Sequence, residues 1–220
     1  MVLKMSNTTA CLNMIKQQLR TNNIHSESIL SLFSQGQRES FVPEAFKAFT
    51  YSDMQIPLAH EQVMLTPLEE AQILETAALQ PHDFVLEIGT GSGHLTYLLS
   101  QQCQKVVSID MHDDFILQAK AIFKEKNIHN AEFLNLDASD LSSLTSLFDV
   151  IICTAAVEEI PAEWLKVMKA NGKIFVPVGK TAQNAQWLFL NNKKIIGHEF
   201  VFHTHVPSLI QTQKKEKFVF

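Results

Sequence analysis

Positive charge is in short supply. Across 220 residues, 18 lysines and arginines stand against 23 aspartates and glutamates, a formal net charge of -5 at pH 7. That balance leaves no basic footprint, so nucleic acid is not an expected partner. Cysteine is scarcer still: Cys11, Cys103 and Cys153 are widely spaced and form no CxxC. Such an odd, scattered set reads as reduced thiols, and a cytoplasmic location is expected. Cys153 sits in the apolar run Val150-Ile151-Ile152-Cys153 and reads as a small buried side chain rather than a nucleophile. No apolar run is long enough to span a bilayer, and Lys4 leads into Ser6, Asn7 and Thr8 rather than the apolar core of a signal peptide. A membrane is therefore not an expected partner either. Glycine is sparse too, seven in all, yet Gly89, Gly91 and Gly93 fall on alternate positions.

What is present has the pattern of a single α/β chain. Leu12, Ile15 and Leu19 recur at helical spacing up to Asn22-Asn23, and Ser26 is placed to cap a second helix carrying Ile29, Leu30 and Phe33. The stretch 38–51 is irregular, and 52–67 has no sustained period, as befits a long structured connection. Residues 68–79 are helical by their apolar stripe. From Pro81 strands and helices alternate: strands over 84–88, 105–110, 131–136, 148–154 and 172–178, with helices over 95–99, 115–123 and 162–168. The segments 187–190 and 194–202 read as a hairpin turning at Asn191-Asn192. Repeated βα units predict a Rossmann-like, mostly parallel sheet with helices on both faces. The chain divides at about residue 80 into a helical N-terminal extension with its connecting loop (1–80) and a ligand-binding core (81–220).

In such a sheet a ligand sits beyond the carboxyl ends of the strands, so the strand-ending residues carry the chemistry. The first core strand ends in Glu87 and the glycine turn. The second ends in Asp110, about 20 residues further on, the distance expected of an acid that binds a ribose diol. A dinucleotide fingerprint wants a sixth-place glycine, and His94 stands there instead. Glu87 would repel a pyrophosphate but suits a ligand with a cationic amino-acid end. S-adenosyl-L-methionine fits this set: Glu87 for the ammonium, Gly89 and Gly91 backbone for the methionine portion, Asp110 for the ribose and Asp137 for the adenine amino group.

Several pieces together resemble the protein-L-isoaspartate O-methyltransferase family over most of the chain. They are Gln18-Leu19-Arg20, Phe41-Val42-Pro43, Ile56-Pro57-Leu58, Glu87-Ile88-Gly89-Thr90-Gly91-Ser92-Gly93, Thr154-Ala155-Ala156 with Ile160-Pro161, and Val176-Pro177-Val178-Gly179. The resemblance implies a seven-stranded methyltransferase sheet, S-adenosyl-L-methionine as cofactor and a peptide or protein acceptor with an isoaspartyl residue; a monomer is expected. It extends the cofactor-binding set to Thr90, Gly93, Met111, Ala138 and Thr154.

The acceptor side departs from the family. Its loop reads Gly-Gln-Thr-Ile-Ser-x-Pro, and this chain reads Glu61-Gln62-Val63-Met64-Leu65-Thr66-Pro67. The family's Thr falls on Val63 and its active-site Ser on Leu65, which leaves Thr66 as a stand-in catalytic hydroxyl if the loop shifts by one residue. A divergent methyltransferase with another acceptor, for which His60 or Glu61 would be the available base, and a non-catalytic cofactor-binding relative stay open beside the repair reading. No resident metal is expected: His203 and His205 share one face of a strand and could bind a metal with His60, but exposed strand histidines are seldom ligands. The Lys214–Lys217 run reads as a solvated tail.

Overall fold

A computed structural model of the chain describes residues 2–35 and 37–210, with side chains from Thr8 onward. The Lys214–Lys217 run lies outside the described residues. The N-terminal helix α1 (Val2–Met14) runs on through a π-turn (Ile15–Leu19) and a 3-10 turn (Arg20–Asn22) and stops at Asn23 in the left-handed region. The Ser26 hydroxyl accepts the Ile29 N–H and so starts α2 (Glu27–Ser34), as its position suggested. Two 3-10 segments (Arg38–Phe41 and Glu44–Phe49) occupy the irregular stretch. A two-stranded hairpin, β1 (Ile56–Pro57) with β2 (Val63–Met64), occupies the connection before α3 (Pro67–Ala77).

The core is a seven-stranded sheet in which alternation decides what each face meets. Its strands are β3 (Phe84–Ile88), β4 (Lys105–Asp110), β5 (Ala131–Asn135), β6 (Phe148–Cys153), β7 (Met168–Val178), β8 (Gln183–Asn191) and β9 (Lys194–Thr204). They lie in the order β5-β4-β3-β6-β7-β8-β9, parallel from β5 through β7 and antiparallel at both later pairings. Val85, Val106 and Ile152 face one layer; Leu86, Val107 and Ile151 face the other. The first layer holds α3, α4 (His94–Ser100) and α5 (Asp113–Glu125), and it is continuous with Met14, Leu19, Phe33 and Phe41 of the N-terminal region. The second layer is closed by α6 (Ala162–Lys166), with Trp164 fully buried, and by the turns of 136–147, which carry no helix. α3 is pinned to the sheet by the Trp187 indole N–H, which donates to Thr76 Oγ1 at 2.8 Å.

Two element boundaries differ from expectation. The helix expected over 162–168 ends at Lys166, because Met168 pairs with Phe148 and opens β7 four residues early. The β6–β7 register then slips between Phe148 and Val150, and Gly172 accommodates the bulge: a Cβ there would lie 2.6 Å from the Asp149 carbonyl oxygen. The terminal hairpin turns at Asn192-Lys193, both left-handed (φ 48° and 61°), one residue later than expected, since Asn191 is still paired with Lys194. No described helix is long and apolar enough to cross a membrane.

Candidate active site

β3 lies between β4 and β6: the chain runs from β3 to β4 and β5 on one side and then crosses back to β6 on the other, which opens a crevice past the carboxyl end of β3. The turn into α4 depends on glycine at both ends. Gly89 has φ 97°, and a Cβ there would sit 2.5 Å from Thr154 Oγ1 at the end of β6. Gly93 has φ 82°, and its Cβ would press on Ala119 of α5 at 3.1 Å. The cleft this leaves has two joined halves. One is lined by Glu87, Thr90, Gly91 and Thr154 with Val63, Leu65, Glu70 and Leu95; the other by Met111, His112, Leu136, Ala138 and Leu209. Gln62, Gly89, Asp110 and Ala155 belong to both.

Strand alternation turns Glu87 toward α4 and leaves it fully buried, directly across from its register partner Ser108. Its Oε2 accepts from Ser108 Oγ at 2.6 Å and from Thr96 Oγ1; its Oε1 is buried with no hydrogen-bond partner. Burial pushes its carboxyl up to about 8, against the lowering effect of the two hydroxyls. A buried, unpaired carboxylate oxygen on a cleft floor fits a cationic donor. Asp110 closes the wall: its two oxygens accept the backbone N–H groups of Gly91 and His112, both at 3.0 Å. Each oxygen keeps lone pairs free, so the carboxylate can also accept from two further hydroxyls.

The wall above is built differently. The hairpin brings Gln62, Val63, Met64 and Leu65 over the cleft, and Leu65 is held from beneath. Arg38 is buried and donates to the carbonyls of Thr50 (3.0 Å) and Leu65 (2.5 Å) and to the Glu70 carboxylate. Glu70 also accepts from His94 Nδ1 at 2.8 Å. Burial lowers His94 below its ordinary range, which favours a neutral imidazole beside the Arg38–Glu70 ion pair.

A family model described as protein-L-isoaspartate (D-aspartate) O-methyltransferase matches residues 10–211. The chain is 34% identical over 170 residues to a protein-L-isoaspartate O-methyltransferase of Aliivibrio fischeri, covering 77% of this chain and 82% of that one. Against the enzyme of the same name from Klebsiella pneumoniae it is 33% identical over 187 residues, 85% of this chain and 88% of that one. The chain belongs to this family. A Plasmodium falciparum structure of a protein named for the same activity, in complex with S-adenosyl-L-homocysteine, shares the fold with TM-score 0.76 at 18% identity, covering 93% of this chain and 98% of that one.

Within that family fold, Glu87, Gly89, Thr90, Gly91, Asp110, Met111, Ala138 and Thr154 all line the cleft. Three residues singled out from sequence sit elsewhere. Gly93 does not line it; it begins α4. Asp137 lies between two lining residues but turns its Oδ1 back to the Ser139 N–H at 2.8 Å. Thr66 is the N-cap of α3: its Oγ1 accepts the Glu69 N–H at 3.0 Å, and Glu69 accepts the Thr66 N–H at 2.8 Å. That reciprocal pair commits the hydroxyl to the helix, while Leu65 is the neighbour that reaches the cleft. The turn also presents itself differently from expectation. The N–H groups of Gly89 and Thr90 donate to the Ile109 carbonyl, and that of Gly91 to Asp110, so these three N–H groups are already engaged within the fold. Sequence reasoning missed Arg38 and Glu70. A signal for Glu70 was there: an acid one residue before Ala71, on the apolar stripe of α3.

Proposed function

We propose that this protein transfers a methyl group from S-adenosyl-L-methionine to the carboxylate of isoaspartyl residues in proteins, the reaction for which its family is named. The observation that carries the reading is the pairing on one cleft of the unpartnered Glu87 Oε1 with the doubly anchored Asp110. Glu87 receives the ammonium of the amino-acid portion, Asp110 the ribose hydroxyls, and Met111, Leu136 and Ala138 flank the base. When bound, the cofactor supplies an electrophilic methyl on a sulfonium. The residues of this chain bind and align. The acceptor carboxylate is already an ionised nucleophile at neutral pH, so one oxygen–carbon bond forms as the sulfur–carbon bond breaks, with no proton to move. Val63 and Leu65 exclude water from the acceptor oxygen, and Arg38 fixes the Leu65 carbonyl from below. We also propose that the protein works as a cytoplasmic monomer built from an acceptor-side extension (1–80) and a cofactor-side core (81–220).

Labelled methyl transfer to an isoaspartyl peptide, beside its ordinary aspartyl twin, tests the reading. Transfer to the first alone is expected; cofactor binding with no transfer to either peptide would overturn it. A second reading, another acceptor, is favoured by one observation: no hydroxyl stands at residue 63 or 65, and Thr66 is committed to its cap. In that case Val63→Thr with Leu65→Ser would confer transfer to the isoaspartyl peptide that the unaltered chain lacks.

A further inference from the structure

At the cleft mouth the β1–β2 hairpin turns through Ala59 to Gln62, with the Gln62 N–H donating to the Ala59 carbonyl at 3.1 Å. Its two central residues, His60 (φ 56°) and Glu61 (φ 57°), are both left-handed. Such a turn prefers asparagine and glycine, and two ordinary L-residues there cost about 1 kcal/mol or more each. The strained turn sets the His60 ring over His112, centroids 4.0 Å apart and planes 1° from parallel, with Phe115 edge-on to both. His60 Nε2 also meets the Asp114 carboxylate at 2.9 Å. His112 Nε2 is buried and has no hydrogen-bond partner.

We propose that His60, His112 and Asp114 form a site for a divalent transition metal of the Zn²⁺ class, fastening the acceptor-side hairpin to the start of α5. One ligand atom from each residue lies within 4.8 Å of the other two. A tetrahedral ion with bonds of about 2.0–2.1 Å needs its ligands nearer still, and since each imidazole binds in its own ring plane, the parallel His60–His112 stack has to open and the exposed Asp114 carboxylate to follow. Two imidazoles and one carboxylate select a borderline cation over Mg²⁺ or Ca²⁺, and water completes the fourth position. Ligation also relieves the orphaned nitrogen, whose burial without a partner is costly. His203 and His205, the other histidines weighed from sequence, do not join this group. The ion would join opposite walls of the cleft, since Gln62 stands on the hairpin and His112 beside Asp110. The site stands apart from the methyl-transfer reading, because its readout is bound metal rather than activity.

The test uses tag-free, chelator-stripped full-length protein, titrated with Zn²⁺ and separately with Mg²⁺ by calorimetry, alongside thermal melts. One Zn²⁺ per chain is expected, with no Mg²⁺ uptake and a rise in melting temperature on adding Zn²⁺. His60→Ala, His112→Ala and Asp114→Ala should each weaken Zn²⁺ binding by about tenfold or more and remove the rise, while His203→Ala changes neither. His112→Gln, close in volume, runs beside His112→Ala, and metal-free melts of both separate lost ligation from lost folding. No saturable Zn²⁺ uptake by the unaltered protein, or uptake undiminished when His60 and His112 are both replaced, would overturn the proposal.

Discussion

Glu87 shows how one residue couples binding to protonation. Its carboxyl is raised to about 8 by burial, so near neutral pH most free protein holds it neutral. An ammonium ligand binds the ionised form, and apparent affinity should therefore rise about tenfold from pH 6 to pH 7, a range in which an α-amino group stays protonated. Calorimetric titration with S-adenosyl-L-homocysteine at both values checks this, and Glu87→Gln should bind weakly and flatten the dependence. The same shift acts on stability. Between the unfolded carboxyl value near 4.5 and about 8, the folded state holds a proton that the unfolded state has released. Ligand-free stability should therefore fall as pH rises through that window, by up to several kcal/mol, and level off above it. Urea melts of Glu87→Gln should lack that component of the decline. A pH profile of stability indistinguishable between the two proteins would contradict the buried-neutral assignment.

At the scale of elements, the strands of the core sheet, the glycine turn and the Ser26 cap were legible because their signals are local. Phe84–Ile88 and Lys105–Asp110 are bounded as the apolar runs are, and Ser26 caps α2 where its type and place suggested. What was illegible depended on partners distant in sequence. Met168 joins β7 because Phe148 offers it a strand, and helical periodicity loses to that pairing. Thr66 posed the same difficulty on a smaller scale. A hydroxyl one place from a family serine reads as a stand-in, yet Thr66-Pro67-Leu68-Glu69 is also a capping box with proline at the first helical position. The two roles make opposite predictions for Thr66→Ala. As a cap, its loss should cost about 1 kcal/mol in urea denaturation and leave kcat for methyl transfer essentially intact. A large fall in kcat at unchanged stability would restore the catalytic role.

For the molecule as a whole, the question is what holds the N-terminal extension to the cofactor-binding core, and the apolar layer shared by Met14, Leu19, Phe41 and Leu98 is only part of it. Arg38 and Glu70 (on α3) both come from the extension and His94 from the helix after the glycine turn, so His94 is the member that ties the pair to the core, and all three are buried in one hydrogen-bonded group. The His94 that breaks the dinucleotide fingerprint thus has a structural use that sequence spacing alone did not show. Taking such charges out of water is expensive, so the group adds little net stability against an apolar filling, but losing one member strands the others. Glu70→Ala leaves the Arg38 guanidinium buried without its counter-charge and should cost about 3–5 kcal/mol in urea denaturation. The double variant Arg38→Met with Glu70→Leu, which removes both charges and keeps the volume, should recover most of that loss. It also frees the Leu65 carbonyl from its only side-chain donor among the described residues, so KM for the acceptor should rise even as stability returns. Recovery of stability without any change in KM would confine the group to a structural part and remove Arg38 from the acceptor wall.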